Sequence, residues 1–178
     1  HSVNYVAKTL IGHNMEPNPY SYLDITNDDK KYLNSNRYEI DKNYWFNKVL
    51  NFEITDFLPK LQNENYKSVR KSYSLTEDEF KFLHKMCSDY SISISTMFMS
   101  LMHLYVSKLS NKKQNSIGLM VHNRSSNIEK ETCGLFTKAL PLIVEINPEQ
   151  TVESFINLVK KENFTLLKHR KIPTTLLI

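Results

Sequence analysis

Residues 116–146 read SIGLMVHNRSSNIEKETCGLFTKALPLIVEI, and the fold turns on how they are read. The apolar run 117–121 follows a polar turn at 111–115 and suits a buried strand. It ends on His122-Asn123-Arg124, a polar cluster placed where a strand would emerge from a core. A second apolar run, 139–146, contains Pro141, which has no N–H to give to a ladder and so points to an edge strand or a bulge. Between the runs, Gly134 and Phe136 sit at a bend built on one of only three glycines in the chain. Two buried strands around a polar, glycine-punctuated crossing make a natural place for a site.

Working outward, Thr76-Glu77-Asp78-Glu79 is the clearest helix start. The threonine hydroxyl and the glutamate carboxylate each satisfy an orphan backbone N–H of the other's residue. Phe80, Leu83, Met86, Cys87 and Tyr90 then share one face, and the alternation over 69–75 reads as a strand leading into this helix. Ser95 opens another helix whose apolar residues (Met97, Phe98, Leu101, Met102, Leu104, Tyr105, Leu109) wrap most of its circumference, which predicts substantial burial. Downstream, Thr151 and Glu153 begin a long helix that turns Phe155, Ile156, Val159 and Leu166 inward, and Pro173 follows it. Toward the amino end, 20–33 and 37–50 read as helices, the second anchored by Tyr44, Trp45 and Val49. A further helix is expected over 2–13, a proline-barred linker over 14–19, and an irregular polar crossing over 51–67. Helices and strands alternate without an internal repeat, which gives an α/β layered domain. The apolar tail 174–178 (TTLLI) is expected to run on into further structure.

The totals exclude several function classes. A length of 178 residues allows one domain or a large part of one. The net charge of +4 is interspersed, and only 168–171 is dense, so the basic face that nucleic acid requires is not expected. No apolar run approaches the ~20 residues of a membrane helix. Cys87 and Cys133 form no CxxC pair and read as reduced thiols in a cytoplasmic protein. The six histidines (His1, His13, His84, His103, His122, His169) form no HExxH, HxH or Cys/His cluster, so no metal site is expected. There is no GxSxG and no glycine-rich phosphate loop. His103 reads as a hydrogen-bonded core histidine and His84 as helix surface. His122 ends a core strand beside Arg124. An arginine at that opening either orients a carboxylate or polarises a carbonyl, or pins the following loop through a salt bridge. Asp24 is placed to bond backbone or Arg37, and Phe136 to anchor packing.

The order of these motifs resembles the condensation domains of nonribosomal peptide synthetases. Residues 117–124 match the strand (I/V)G-x-x-V-x-x-R, and Cys133-Gly134-Leu135-Phe136 through Leu140-Pro141-Leu142 match (I/C)G-x-F-x-x-x-L-P-L. Tyr22-Leu23-Asp24, Tyr44-Trp45 and Lys168-His169-Arg170-Lys171-Ile172-Pro173 match in family order, so the resemblance spans nearly the whole chain. It implies a chloramphenicol acetyltransferase-like α/β lobe, a mixed sheet packed with helices, forming half of a two-lobe domain with a tunnel between the lobes. Residues 1–67 would be bridging helices and a crossing segment, and 68–178 the C-terminal lobe. The family joins the acyl group on one carrier protein's phosphopantetheine thioester to the amine held on another. The implied partners are the N-terminal lobe, peptidyl carrier proteins and an adjacent adenylation domain. No cofactor is expected to bind directly, since the phosphopantetheine arms act as substrate carriers.

The chain also departs from the family. The active-site motif HHxxxDG is absent, and His1-Ser2-Val3-Asn4 fits the stretch that follows it, so these residues by themselves are expected to be inactive. The family's His-Gln-Asp-x-Pro-Phe-Glu segment stands here as residues 169–175, and Lys138 replaces its usual asparagine. The resemblance implies tunnel-lining roles for Arg124, Gly134 and Phe136, and His122 and Lys138 are further tunnel-lining candidates. It makes Tyr22, Asp24, His169 and Pro173 structural motif positions, and none of these a catalytic base. Two other readings remain: a non-catalytic module docking carrier proteins through Lys138 and 168–171, and a CoA-dependent acyltransferase of the same superfamily.

Overall fold

The computed structural model describes residues 20–50, 52–53, 69–132 and 134–177. The expected helix at 2–13, the linker at 14–19, most of the crossing 51–67 and Cys133 lie outside them. The described elements run α1 (Tyr22–Leu33), α2 (Asn36–Val49), α3 (Glu77–Asp89), α4 (Ile94–Ser110), β1 (Gln114–His122), α5 (Asn127–Glu131), β2 (Thr137–Glu145) and α6 (Val152–Lys168), with a 3-10 turn at Thr174–Leu176.

Each helix starts on a short polar side chain that takes an otherwise orphan N–H. Ser21, Ser35, Thr76, Ser93 and Ser126 cap the first five, and the Thr151 hydroxyl accepts from Ser154 at the start of α6. At α3 the capping box is complete. Thr76 N–H donates to the Glu79 carboxylate at 2.8 Å, and Glu79 N–H donates to the Thr76 hydroxyl at 3.3 Å. α4 begins at Ser93 rather than Ser95 and ends on Asn111, whose φ of 54° is the left-handed conformation that asparagine tolerates.

β1 and β2 form a two-stranded sheet. Ile146 N–H donates to the Lys113 carbonyl at 2.9 Å, so the end of β2 lies beside the start of β1 and the pair is antiparallel. That register places Pro141 opposite Gly118 in a non-hydrogen-bonded pair, so the missing N–H costs the ladder nothing. No second strand pairs with β2 among the described residues. Asn115, Val121, Leu140, Leu142 and Val144 share one face of the sheet and are all buried. The expected strand at 69–75 does not form. Val69 and Tyr73 are 79% and 77% exposed, and the segment has no ladder partner among the described residues.

The chain divides into two compact units. One comprises Phe52–Gly118 and Pro141–Leu166. Its core includes Cys87, Met97 and Ile156, against which Leu83, Met86, Tyr90 and Ile92 pack. α6 buries Phe155, Ile156, Val159 and Leu166, the four residues its spacing predicts. α4 is less buried than the substantial burial expected of it. It buries Thr96, Met97, Met99, Ser100, His103 and Val106, while Phe98, Leu101, Met102, Tyr105 and Leu109 stay about half exposed. His103 is the expected core histidine: its Nδ1 lies 2.5 Å from Asn115 Oδ1, and Asn115 Nδ2 donates back to the His103 carbonyl at 3.1 Å.

The other unit comprises His1–Asn51, Leu119–Leu140 and Leu167–Ile178. At its centre is Asp41, fully buried and on three donors: Tyr32 Oη at 2.8 Å, His169 Nδ1 at 2.7 Å and Arg37 Nε at 3.0 Å. The Tyr44 ring stacks on His169 at 4.1 Å, and Trp45 Nε1 donates to the His169 carbonyl at 2.9 Å. A buried carboxylate is tolerable only with donors so arranged, and removing one leaves a charge stranded. No described helix is long and apolar enough to cross a membrane.

Candidate functional site

The candidate site lies within this second unit, where β1 ends. Arg124 emerges there and spends its donors on the loop that follows. Nη1 donates to the carbonyls of Glu129 and of Thr132 (2.6 Å to the latter), and Nη2 donates to the Gly134 carbonyl at 3.0 Å. Its Cζ stands 4.0 Å over the Phe136 ring. A guanidinium suits this position because it offers planar donors to several carbonyls and a flat face to an aromatic ring. The loop is closed at its other side by Glu129, whose carboxylate accepts from the backbone N–H groups of Ser125 and Ser126. Burial raises the Glu129 pKa, but the N–H groups of Ser126 and Ser125, with Lys171, outweigh it and hold the carboxyl below its usual range.

Tyr22 comes to this place from α1, and Asp24 stays at the start of that helix. Asp24 accepts from Ser21 N–H at 3.2 Å as half of a capping box, so of its two expected partners it takes backbone. Arg37 turns instead to Asp41 and the Lys168 carbonyl. The Tyr22 ring meets Phe136 edge-on, 5.8 Å between centroids at 72°. The same ring passes over Gly134, where a Cβ would lie 2.5 Å from Tyr22 Cδ2. The glycine is therefore fixed by close approach.

Tyr22, Asp29, Asn123, Phe136, Lys138 and Lys171 are among the residues lining a cleft of about 170 Å³. Lys138 Nζ donates to the carbonyls of Lys171 at 3.0 Å and Ile172 at 3.1 Å, tying β2 to the segment after α6. Burial pushes the Lys138 pKa down, and Asp29 partly offsets it.

Other expected residues sit apart from the cleft lining. His122 is exposed at the end of β1, and its carbonyl accepts from Arg124 N–H at 2.9 Å. His169 belongs to the Asp41 network, and Pro173 is half-buried at the start of the 3-10 turn. Within 168–171, Arg170 donates to the Leu167 carbonyl and the Ser125 hydroxyl, leaving Lys168 and Lys171 as the exposed members. The sequence reading missed Asp41 and Asn123. The Arg37–Asp41 spacing of one helical turn, on the face that carries Trp45, was the available signal for Asp41. No cluster of three metal-ligating side chains occurs among the described residues.

The condensation-domain family model matches residues 4–178, and so covers every element named above. The chain belongs to the condensation-domain family. It is 28% identical over 166 residues to one of the plipastatin synthase proteins of Bacillus subtilis (strain 168), covering 92% of this chain and 6% of that protein. Its fold is also that of solved condensation domains. It superposes on the first condensation domain of the CDA synthetase with a TM-score of 0.78 at 15% identity, covering 94% of this chain and 38% of that one. VibH, an NRPS condensation enzyme, gives 0.71 at 19% identity, covering 95% and 40%. The chain thus spans a small part of the plipastatin synthase protein and about two fifths of the condensation domains it matches. The chloramphenicol acetyltransferase-like α/β fold implied by the motifs is the one found. In this chain the Tyr22, Arg124, Gly134 and Phe136 motif residues form one packed cluster.

Proposed function

We propose that these residues work as part of a condensation domain that forms an amide bond between two carrier-bound groups, with 68–178 serving as its C-terminal lobe and 1–67 as bridging helices and crossing segment. The observation that carries this reading is the convergence of three separated motifs: Tyr22 and Phe136 line one cleft, and Arg124 and Gly134 pack against those two rings outside its lining. The acceptor amine attacks the donor thioester carbonyl; the C–N bond forms, the C–S bond breaks, and the amine's proton passes to the departing sulfur. The sequence holds no HHxxxDG, so the base belongs to residues other than these. What this chain supplies is position. A wall of Tyr22, Phe136 and Lys138, held from behind by Arg124, orients groups brought in on phosphopantetheine arms. The partners are the N-terminal lobe, peptidyl carrier proteins and an adjacent adenylation domain. A cytoplasmic setting keeps the free, buried Cys87 reduced.

The full-length protein containing these residues, given loaded donor and acceptor carrier proteins, should yield an amide product by mass spectrometry. Phe136→Ala should lower kcat/KM about tenfold or more. The 178 residues alone should give no product. Condensation unaffected by Phe136→Ala, or acyl-CoA accepted while loaded carriers are refused, would overturn the reading.

A further inference from the structure

Two ammonium groups line the cleft, and they differ in what answers their charge. Lys171 has Glu129 at 4.0 Å. Lys138 makes no ion pair with any described carboxylate. Its Nζ donates to two carbonyls, and an ammonium has three donors, so one is left without a partner among the described residues. Asp29 lines the same cleft but acts on Lys138 only at longer range. Glu129 is already committed to two backbone N–H groups. The half-buried Lys138 charge is thus partly desolvated, beside the apolar walls of Tyr22, Ile25, Leu135 and Phe136, with no counter-charge in contact. A cation so placed gains most from an anion that enters with the ligand. The space of about 170 Å³ is smaller than the ~300 Å³ of the smallest drug-sized pockets, so it suits one side chain rather than a whole substrate.

We infer that this cleft selects a substrate bearing a side-chain carboxylate, of aspartate or glutamate type, through an ion pair with Lys138. The inference rests on the condensation reading above and adds the class of substrate to it. The carboxylate belongs to either the acceptor amino acid or the donor acyl group.

The test is calorimetry on the full-length protein with pantetheine amides of glutamate and glutamine. Each is used as the free amine, the acceptor form, and as the N-acetyl derivative, the donor form. The glutamate compound should bind about tenfold or more tighter than its glutamine counterpart in one of the two forms, and that form identifies the source. Lys138→Arg should keep the preference. Lys138→Met should lose it, and so should Lys138→Asn, which retains an N–H donor for the carbonyls. Equal affinities in the wild type, no binding by any of the four compounds, or a preference that survives Lys138→Asn overturns the inference. Condensation assayed on the same preparations separates the two claims. A glutamate preference without amide formation sinks the condensation reading alone, and amide formation with equal affinities sinks the selectivity alone.

Discussion

Cδ2 of Tyr22 lies 2.5 Å from the point where a Cβ on residue 134 would stand. No real Cβ tolerates that distance, so Gly134→Ala must move the ring. Tyr22 is 45% exposed, so its ring can swing outward, at the cost of its edge contact with Phe136. Such a pair contributes about 0.5–1.5 kcal/mol, so Gly134→Ala should cost about 1–2 kcal/mol in chemical denaturation. Tyr22→Ala removes the obstacle, and the double variant should be less destabilised than the sum of the two singles. Strict additivity would show that the ring and residue 134 do not compete for space.

Arg124→Lys is predicted to loosen the loop 125–134 without unfolding the domain. A lysine keeps the charge but cannot reach the carbonyls of Glu129, Thr132 and Gly134 together, nor lie flat on Phe136. Losing charge-assisted bonds worth about 1.5–3 kcal/mol each should speed hydrogen exchange of loop amides at least about tenfold, with the α2 amides unchanged. Loop protection equal to that of the wild type would mean the carbonyl contacts do not hold it.

What the sequence made legible was periodic or local. The inward residues of α6 follow from helical spacing, and the Thr76–Glu79 box from two side chains three positions apart. The two strands followed from apolar runs bounded by polar turns. What it misread depends on neighbours that periodicity does not name. The apolar residues of α4 give no sign of which of its faces find cover within the chain, and most of these residues stay exposed. The alternation at 69–75 promises a strand, yet a strand exists only with a partner. At the site, the motifs placed Tyr22, Gly134 and Phe136 in one family pattern. The sequence did not show that Arg124 is met by carbonyls, nor that Asp41 would be met by a histidine 128 residues away.

Tyr32 should ionise late. Burial first, then the hydrogen bond to Asp41, holds its pKa well above the ordinary value of 10. The folded value exceeds the unfolded one, so the neutral phenol is the favoured form. Its contribution to stability is complete below pH 10 and is lost as pH rises through the folded value. Tyr73 is also shifted upward, by its bond to Glu79, so the measurement is a difference. Phenolate absorbance during alkaline titration should show one late-titrating tyrosine fewer in Tyr32→Phe than in the wild type. That variant should also lose about 1–2 kcal/mol at neutral pH, because Asp41 is left short of a donor. Identical late titration in both proteins would place the Tyr32 hydroxyl elsewhere.

His103 predicts the opposite dependence at the acid end. Burial pushes its pKa below the ordinary 6.5, with the Asn115 hydrogen bond opposing. The neutral ring is therefore favoured in the fold, and its contribution is present above about pH 6.5 and lost as pH falls through the folded value. The geometry says why. Nδ1 faces Asn115 Oδ1 at 2.5 Å and carries the proton of the neutral ring, while Nε2 is buried with no hydrogen-bond partner among the described residues. A second proton would have to go to Nε2, where no acceptor meets it. Tm should fall on moving from neutral pH to about pH 5, where a solvated histidine is protonated. His103→Gln removes the titrating group but keeps an amide for Asn115. It should start about 1–2 kcal/mol less stable at neutral pH and lose less Tm than the wild type over the same interval. Equal Tm losses in the two proteins would assign the acid sensitivity to another group.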